Sequence, residues 1–253
     1  MTAVLLVTDD REYLREPGDT LETDLGVLDV PADVTPGETL ETHLGTEFRV
    51  RELRGPDLFH HFERTGAPML PRDIGLIVGH TGVAAGDRVL DAGTGTGVLA
   101  AYLARAGASV VTYERDSGFA DVARENMALA GVDGAESGGG AVSAPGPGSA
   151  TVRTGDVLDA IDDLSGFDLV TLDTADAPAV VEHAPDLLVQ GGFLAVYSPF
   201  VEDSRAVVES AREAGLAVET YETIQRGMDF DERGTRPSTA GVGHTGYLVF
   251  GRN

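Results

Sequence analysis

The chain is 253 residues long, 42% apolar and 24% charged, enough to bury one large core or a core with a small appendage. Its 42 acidic residues against 18 basic ones give a net charge of -24, and all 18 basic residues are Arg, so the expected host is a halophile with a GC-rich genome. The absence of Cys excludes disulfides, thiolate zinc sites and cysteine nucleophiles. With no run of about 18 apolar residues and no positive flank in residues 1–10, a soluble cytoplasmic protein with no membrane partner is expected.

Residues 1–64 read as a small β module. Short β-like runs at 3–7, 21–30 and 46–53 are punctuated by Pro17-Gly18, Pro31, Pro36-Gly37 and Gly55-Pro56. Within it, Thr20-Leu-Glu-Thr-Asp-Leu-Gly26 and Thr39-Leu-Glu-Thr-His-Leu-Gly45 nearly repeat, which predicts two similar strand-turn units. Residues 65–253 form the second unit. Strands are predicted at 88–92, 109–114, 151–154, 167–173 and 192–198, alternating with helices at 98–106, 117–130, 178–188 and 203–214, and a further helix is predicted at 74–79. Such alternation means βαβ units and a parallel sheet. Two last strands, 216–222 and 245–251, have no helix between them, so the final one is expected to be antiparallel. The Gly/Ser/Pro-rich stretch 133–150 is expected to be a disordered insert.

The first chemical signal is Val89-Leu-Asp-Ala-Gly-Thr-Gly-Thr-Gly97, a buried strand running into a glycine loop and a helix, where backbone and helix N-terminus can approach a ligand. Alone it is weak. Glu114 ends the next strand, placed to accept from two ribose hydroxyls, and Gly155-Asp156-Val157 follows the third, placed to meet an adenine amino group. Each acid alone also reads as a cap or a surface charge; three features at successive strand ends point to a nucleoside cofactor. The spacing is GxGxG with Asp91 two residues before it, rather than the GxGxxG of dinucleotide folds. With seven strands and an antiparallel last one, the chain resembles class I S-adenosylmethionine-dependent methyltransferases, and an NAD site is the lesser alternative.

Further motifs narrow the resemblance. Arg64-Thr-Gly-Ala-Pro-Met-Leu-Pro-Arg-Asp73, Tyr113-Glu114-Arg115, Glu125-Asn126, Leu172-Asp173, Tyr197-Ser198-Pro199, Arg236-Pro237 and Gly243-His244-Thr245-Gly246-Tyr247-Leu248 are together similar to the tRNA (adenine-57/58-N1)-methyltransferase family, in a haloarchaeal-type form. The resemblance spans residues 5–252 apart from the insert. It implies an α/β fold of seven strands with a small N-terminal β domain, S-adenosylmethionine as cofactor, tRNA as substrate and a homotetramer. It also implies a cofactor set of Asp91, Gly93, Thr94, Gly95, Thr96, Gly97, Val98, Glu114, Arg115, Asp156, Val157 and Asp173. Asp173, at the end of the fourth strand, is the expected catalytic residue, orienting the adenine amine; a helix cap is its alternative. The family's Trp after this strand is missing from Asp173-Thr-Ala-Asp176-Ala-Pro178, leaving Tyr197 or Phe200 to supply an apolar face.

For the RNA, Arg49, Arg51, Arg54, Arg64 and Arg72 place five of the 18 Arg among three acids, a basic island on an acidic body. A salt-bridged β-module face is the alternative. Arg49, Arg51, Arg54, Arg72, Tyr197, Arg236 and His244 are the expected substrate-binding residues, His244 also reading as a structural hydrogen-bonding residue. His60 and His61 lack a clustered third ligand, so no metal site is expected. The rival readings are a methyltransferase acting on a protein or small molecule, and a non-catalytic tRNA-binding subunit.

Overall fold

The computed structural model of the protein describes residues 3–9, 11–132, 146, 148–241 and 243–253. The N-terminal part comprises β1 (Val4–Thr8), β2 (Arg11–Arg15), β3 (Thr20–Thr23), β4 (Gly26–Asp29), β5 (Thr39–Glu41) and β6 (Glu47–Glu52). Four of these form an antiparallel sheet in the order β2-β1-β6-β5, and β3 and β4 pair as a hairpin. The expected run 21–30 is therefore two strands, because the polar Asp24-Leu-Gly26 turn reverses the chain inside it. The near-repeat is structural as well. Each copy is a strand followed by a turn, and the turns hold each other: Thr42 Oγ1 donates to Leu25 O at 2.8 Å and Val27 N to His43 Nδ1 at 2.8 Å. Alternation along β6 buries Phe48 and Val50 with Leu6, Leu21 and Leu28, leaving Arg49 and Arg51 outward.

Two helices follow, α1 (Gly55–His61) and α2 (Pro71–Thr81). The first lies inside the range assigned to the β module, yet Leu58 and Phe62 pack in the larger core, so the β part ends near Leu53. The remainder is β7 (Arg88–Ala92), α3 (Val98–Arg105), β8 (Ser109–Glu114), α4 (Ser117–Ala130), β9 (Ser149–Thr154), a 3-10 turn at Val157–Asp163, β10 (Phe167–Leu172), α5 (Ala177–Val181), α6 (Ala184–Leu187), β11 (Leu188–Ser198), α7 (Val201–Glu213), β12 (Ala217–Glu222), β13 (Met228–Asp231), β14 (Gly234–Pro237) and β15 (Tyr247–Arg252). The seven-stranded order is β12-β15-β11-β10-β7-β8-β9, with β15 antiparallel to both its neighbours, as expected from the missing crossover helix.

Both faces of this sheet are covered, so neighbouring residues on one strand enter different cores. Val89 and Val110 pack with the α1 to α4 side, while Leu90 and Val111 pack with α5, α6 and α7. Two expectations change. The helix over 178–188 is broken into α5 and α6, because Pro185 cannot donate to the preceding turn. Strand β9 begins at Ser149, inside the proposed 133–150 insert; residues 133–145 and 147 of that insert lie outside the described residues. The exposed hairpin β13–β14, which contains Arg236, is an addition to the expected elements: Met228-Asp-Phe-Asp231 alternates over only four residues and its partner Gly234-Thr-Arg-Pro237 does not alternate.

Candidate active site

The carboxyl ends of β7, β8, β9 and β10 meet at a cleft of about 300 Å3 lined by Gly93, Gly95, Tyr113, Glu114, Arg115, Phe119, Gly155, Asp156, Val157 and Asp173 to Asp176. The glycine loop forms its floor. A Cβ on Gly93 would stand 2.1 Å from the carbonyl oxygen of Asp173, so only glycine lets β7 and β10 close together here. Gly95 differs: its φ is +51° and no atom lies within 4 Å of where a Cβ would project, so its bare backbone faces open cleft. Glu114 joins the walls, accepting from Gly95 N at 2.9 Å and from Asp116 N at 3.1 Å.

Beneath the loop, Asp91 is 3% exposed and stands in register between Thr112 on β8 and Thr171 on β10. Both hydroxyls donate to its carboxylate at 2.5 Å. Burial raises its pKa, the two hydroxyls opposing the rise. Thr94 bonds Thr112 at 2.5 Å, Thr96 is buried and Val98 belongs to the core. The side chains of Asp91, Thr94, Thr96 and Val98 therefore lie behind the loop and shape it, outside the lining of the cleft. Arg115 spans the mouth, with Nη1 2.6 Å from Asp176 and 3.5 Å from Asp156. Asp156 also caps the 3-10 turn, accepting from Leu158 N at 2.9 Å, and the neighbouring Val157 is buried.

Asp173 follows β10, its backbone N–H donating to Ala92 O at 2.9 Å. Its outward edge is open to the cleft. Crowding by protein on its other sides, with the Asp91 carboxylate adding, pushes its acid up to about 7. Asp176 occupies the N-cap position of α5, so Asp173 does not cap that helix. Asp173, Thr174 and Ala175 also line a second cavity of about 220 Å3, walled by Pro178, Val196, Tyr197, Ser198, Pro199 and Phe200. Tyr197 and Phe200 thus stand where an apolar face was expected, Phe200 being 63% exposed.

The expected substrate residues divide. Arg49 and Arg51 share the outer face of β6, Arg51 lying 3.8 Å from Glu12. Arg54 pairs with Glu52 at 2.8 Å, and Arg64 lies over the Phe59 ring. Arg105, at the end of α3 remote from the glycine loop, donates to Leu53 O at 2.7 Å, so the end of β6 sits on the side of the domain opposite the cleft. Arg72 is no surface cation: its side chain is 8% exposed, against Asp73 and Thr245. Burial of the side chain beside these partners removes it from the island. Arg236 is 3.7 Å from Asp229 on the tail hairpin and lines neither of the cavities that Asp173 borders. His244 ties Glu222 to Pro199 O, at 2.8 and 3.3 Å, and the Glu222 carboxylate raises its pKa. Phe119, 40% exposed on the cleft wall, was missed; a large aromatic in the first turn of an otherwise polar helix face was its signal. No cluster of three metal-ligating side chains occurs among the described residues.

Residues 70–223 match the family model described as Protein-L-isoaspartate(D-aspartate) O-methyltransferase (PCMT). The whole chain is 33% identical to the tRNA (adenine(57)-N(1)/adenine(58)-N(1))-methyltransferase of Methanocaldococcus jannaschii, covering 95% of that protein. It is 29% identical, over 81% of its length and 76% of the relative's, to the tRNA (adenine(58)-N(1))-methyltransferase of Thermus thermophilus. Among solved structures it is similar to an S-adenosylmethionine-dependent O-methyltransferase of Thermotoga maritima, with a TM-score of 0.78, 26% identity and coverage of 99% and 92% of the two chains. The tRNA (m1A58) methyltransferase of Aquifex aeolicus shares the fold at a TM-score of 0.71 and 23% identity, covering 99% and 96%. The isoaspartate match ends at residue 223 and lacks the N-terminal module and the tail, whereas the archaeal relative covers both. The chain belongs to the tRNA (adenine-57/58-N1)-methyltransferase family, its residues 70–223 carrying the core shared with protein-L-isoaspartate O-methyltransferases.

Proposed function

We propose that this protein transfers a methyl group from S-adenosylmethionine to N1 of adenine 57, adenine 58 or both in the tRNA T-loop. The observation that carries the reading is the position of Asp173 to Ala175 in the wall between two cavities, one floored by the glycine loop and ringed by Glu114, Arg115 and Asp156, the other more apolar and edged by Tyr197 and Phe200. Gly95 leaves room for the cofactor against its backbone, Glu114 presents carboxylate oxygens toward ribose hydroxyls, and Asp156, Val157 and Phe119 flank the space for the adenine moiety. The bound cofactor supplies an electrophilic methyl group.

The target adenine leaves its tertiary pair and enters the second cavity, because N1 lies on its pairing edge. The cofactor, held by the glycine loop, Glu114 and Asp156, would supply its methyl group to the N1 lone pair in one displacement, its sulfur leaving as a neutral thioether and the base gaining the positive charge. Asp173, as carboxylate, accepts from the exocyclic amine and is favoured more as positive charge develops, which is differential stabilisation of the transition state. Tyr197 and Phe200 supply stacking surface in place of the missing Trp. Arg49 and Arg51 contact phosphates, positioning tRNA without reading sequence.

A homotetramer, a cytoplasmic setting and a high-salt host complete the proposal; family resemblance and the lysine-free, acidic composition support them. Among the described residues, no helix is long and apolar enough to cross a membrane. The decisive experiment incubates the protein with labelled S-adenosylmethionine and unmodified tRNA in concentrated salt, followed by nucleoside digestion. Labelled 1-methyladenosine is the expected product. A labelled methyl ester on an isoaspartyl peptide, with unlabelled tRNA, would replace this reading by the one the 70–223 match favours.

A further inference from the structure

Outside the cleft, the described residues bury a charged pair: Arg72 and Asp73, adjacent in the first turn of α2, with side chains 8% and 3% exposed. In a protein whose net charge is carried almost entirely by its surface, a buried pair is weak support for stability, since desolvation offsets its attraction. Both partners converge on one side chain of the tail, more than 170 residues later. Arg72 Nη2 donates to Thr245 Oγ1 at 2.8 Å, and that hydroxyl donates to Asp73 Oδ2 at 3.0 Å. The carbonyl of the same Thr245 accepts from the Tyr197 hydroxyl at 2.5 Å. The next residue closes the clamp: a Cβ on Gly246 would stand 2.6 Å from Tyr197 Cζ, so the tail backbone lies directly on the ring.

We propose that Arg72, Asp73 and Thr245 are positioning residues that lock the Tyr197 ring against the acceptor cavity and so set the plane in which the target purine is presented to the methyl group. This rests on the reading of that cavity as the adenine pocket. Tyr197 lines it together with Phe200 and Asp173. Because its hydroxyl is spent on Thr245, Tyr197 offers the base a ring face and takes no proton. Thr245 Oγ1 uses its one hydrogen toward Asp73 and a lone pair toward Arg72, so the hydroxyl is needed in both directions and Val cannot replace it. Alignment of the attacking nitrogen with the methyl group is sensitive to displacements of about 1 Å, which links the relay to rate.

Single-turnover methyl transfer at saturating tRNA is the test. Thr245→Val and Asp73→Asn should lower the rate roughly tenfold to a hundredfold, with cofactor affinity changed by less than about twofold, while Thr245→Ser restores most of the rate. Tyr197→Phe should cost less in the Thr245→Val background than in the parent, because both changes break one chain of contacts. The resonance of fluorotyrosine at position 197 reads the relay without any acceptor. It should be sharp and displaced in the parent and in Thr245→Ser, and averaged in Thr245→Val and Asp73→Asn. A folded Thr245→Val protein with the parental rate and resonance overturns the proposal, as does an equal fall of rate and cofactor affinity in both variants. A parent that makes no 1-methyladenosine removes the adenine reading alone, since the resonance still decides whether the relay holds Tyr197.

Discussion

The α-carbon of Gly93 lies against the carbonyl of Asp173, so close that an added methyl carbon would stand 2.1 Å from that oxygen. The contact joins the glycine loop to the end of β10 and fixes how far Asp173 reaches into the cleft. With φ at +88°, Gly93 is in a conformation that L side chains rarely adopt. Gly93→Ala is therefore expected to destabilise the protein by about 2 to 4 kcal/mol through overpacking and backbone strain. Urea unfolding in concentrated salt measures this. Unchanged stability would show that the two strands can separate without penalty.

Gly95 and Glu114 predict the opposite balance, a binding defect with the fold retained. A Cβ at Gly95 meets no atom within 4 Å and projects toward the cofactor space, so Gly95→Leu, at a backbone-strain cost of about 1 to 2 kcal/mol from its φ of +51°, should abolish measurable S-adenosylmethionine binding while the protein still melts cooperatively. Glu114→Ala loses charge-assisted hydrogen bonds both to the ligand and to the Gly95 N–H, and should weaken binding by about 1.5 to 3 kcal/mol. Calorimetric titration checks both, and parental affinity in either folded variant contradicts the assignment of this cleft.

Asp173 gives a pH dependence with a definite sign. Its acid is raised to about 7, first by the protein packed around its inner side and then by Asp91, so it is protonated below that pH and ionised above. The carboxylate is the form that favours a sulfonium and a base gaining positive charge, so methyl transfer should rise through pH 7 and level off by about pH 8. Asp173→Asn should remove that rise, and Asp173→Ala should lower the single-turnover rate on the order of a hundredfold with much less effect on cofactor affinity.

Stability moves the other way. An acid raised by folding binds more protons folded than unfolded, so its contribution is lost as pH climbs from the ordinary carboxylate range through about 7. The melting temperature of Asp173→Asn relative to the parent should therefore increase between pH 5 and pH 8. A constant difference across that range would mean that Asp173 titrates as an ordinary surface acid.

The arginines separate by burial. Arg49→Ala and Arg51→Ala, on the open face of β6, should each reduce the salt slope of tRNA binding by roughly one and leave the rate of bound tRNA unchanged. Arg72→Ala should instead leave that slope unchanged while lowering stability and rate, since its guanidinium is held beside Asp73 and Thr245. Filter binding across a salt series distinguishes the two outcomes.

The order of sheet elements was legible because it is written in local pattern. β7 and β8 have the same bounds in the sequence reading and in the structure, α4 does too, and an acid follows the glycine spacing at the next strand end. The family was legible for the same reason: its motifs are contiguous runs such as Gly243 to Leu248. What tertiary structure decided were facts that depend on residues far apart. Asp91 and Thr94 sit inside the cofactor motif, yet face the interior because Thr112 and Thr171 wait there on neighbouring strands. Arg72 belongs by composition to a basic island, but α2 turns it inward onto Thr245, 173 positions away. Local sequence sets strand period, caps and turns, since those are interactions between near neighbours. The direction in which a polar side chain finally points is set by which partners the packed sheet brings beside it, and burial makes an unpaired polar group too costly to leave otherwise.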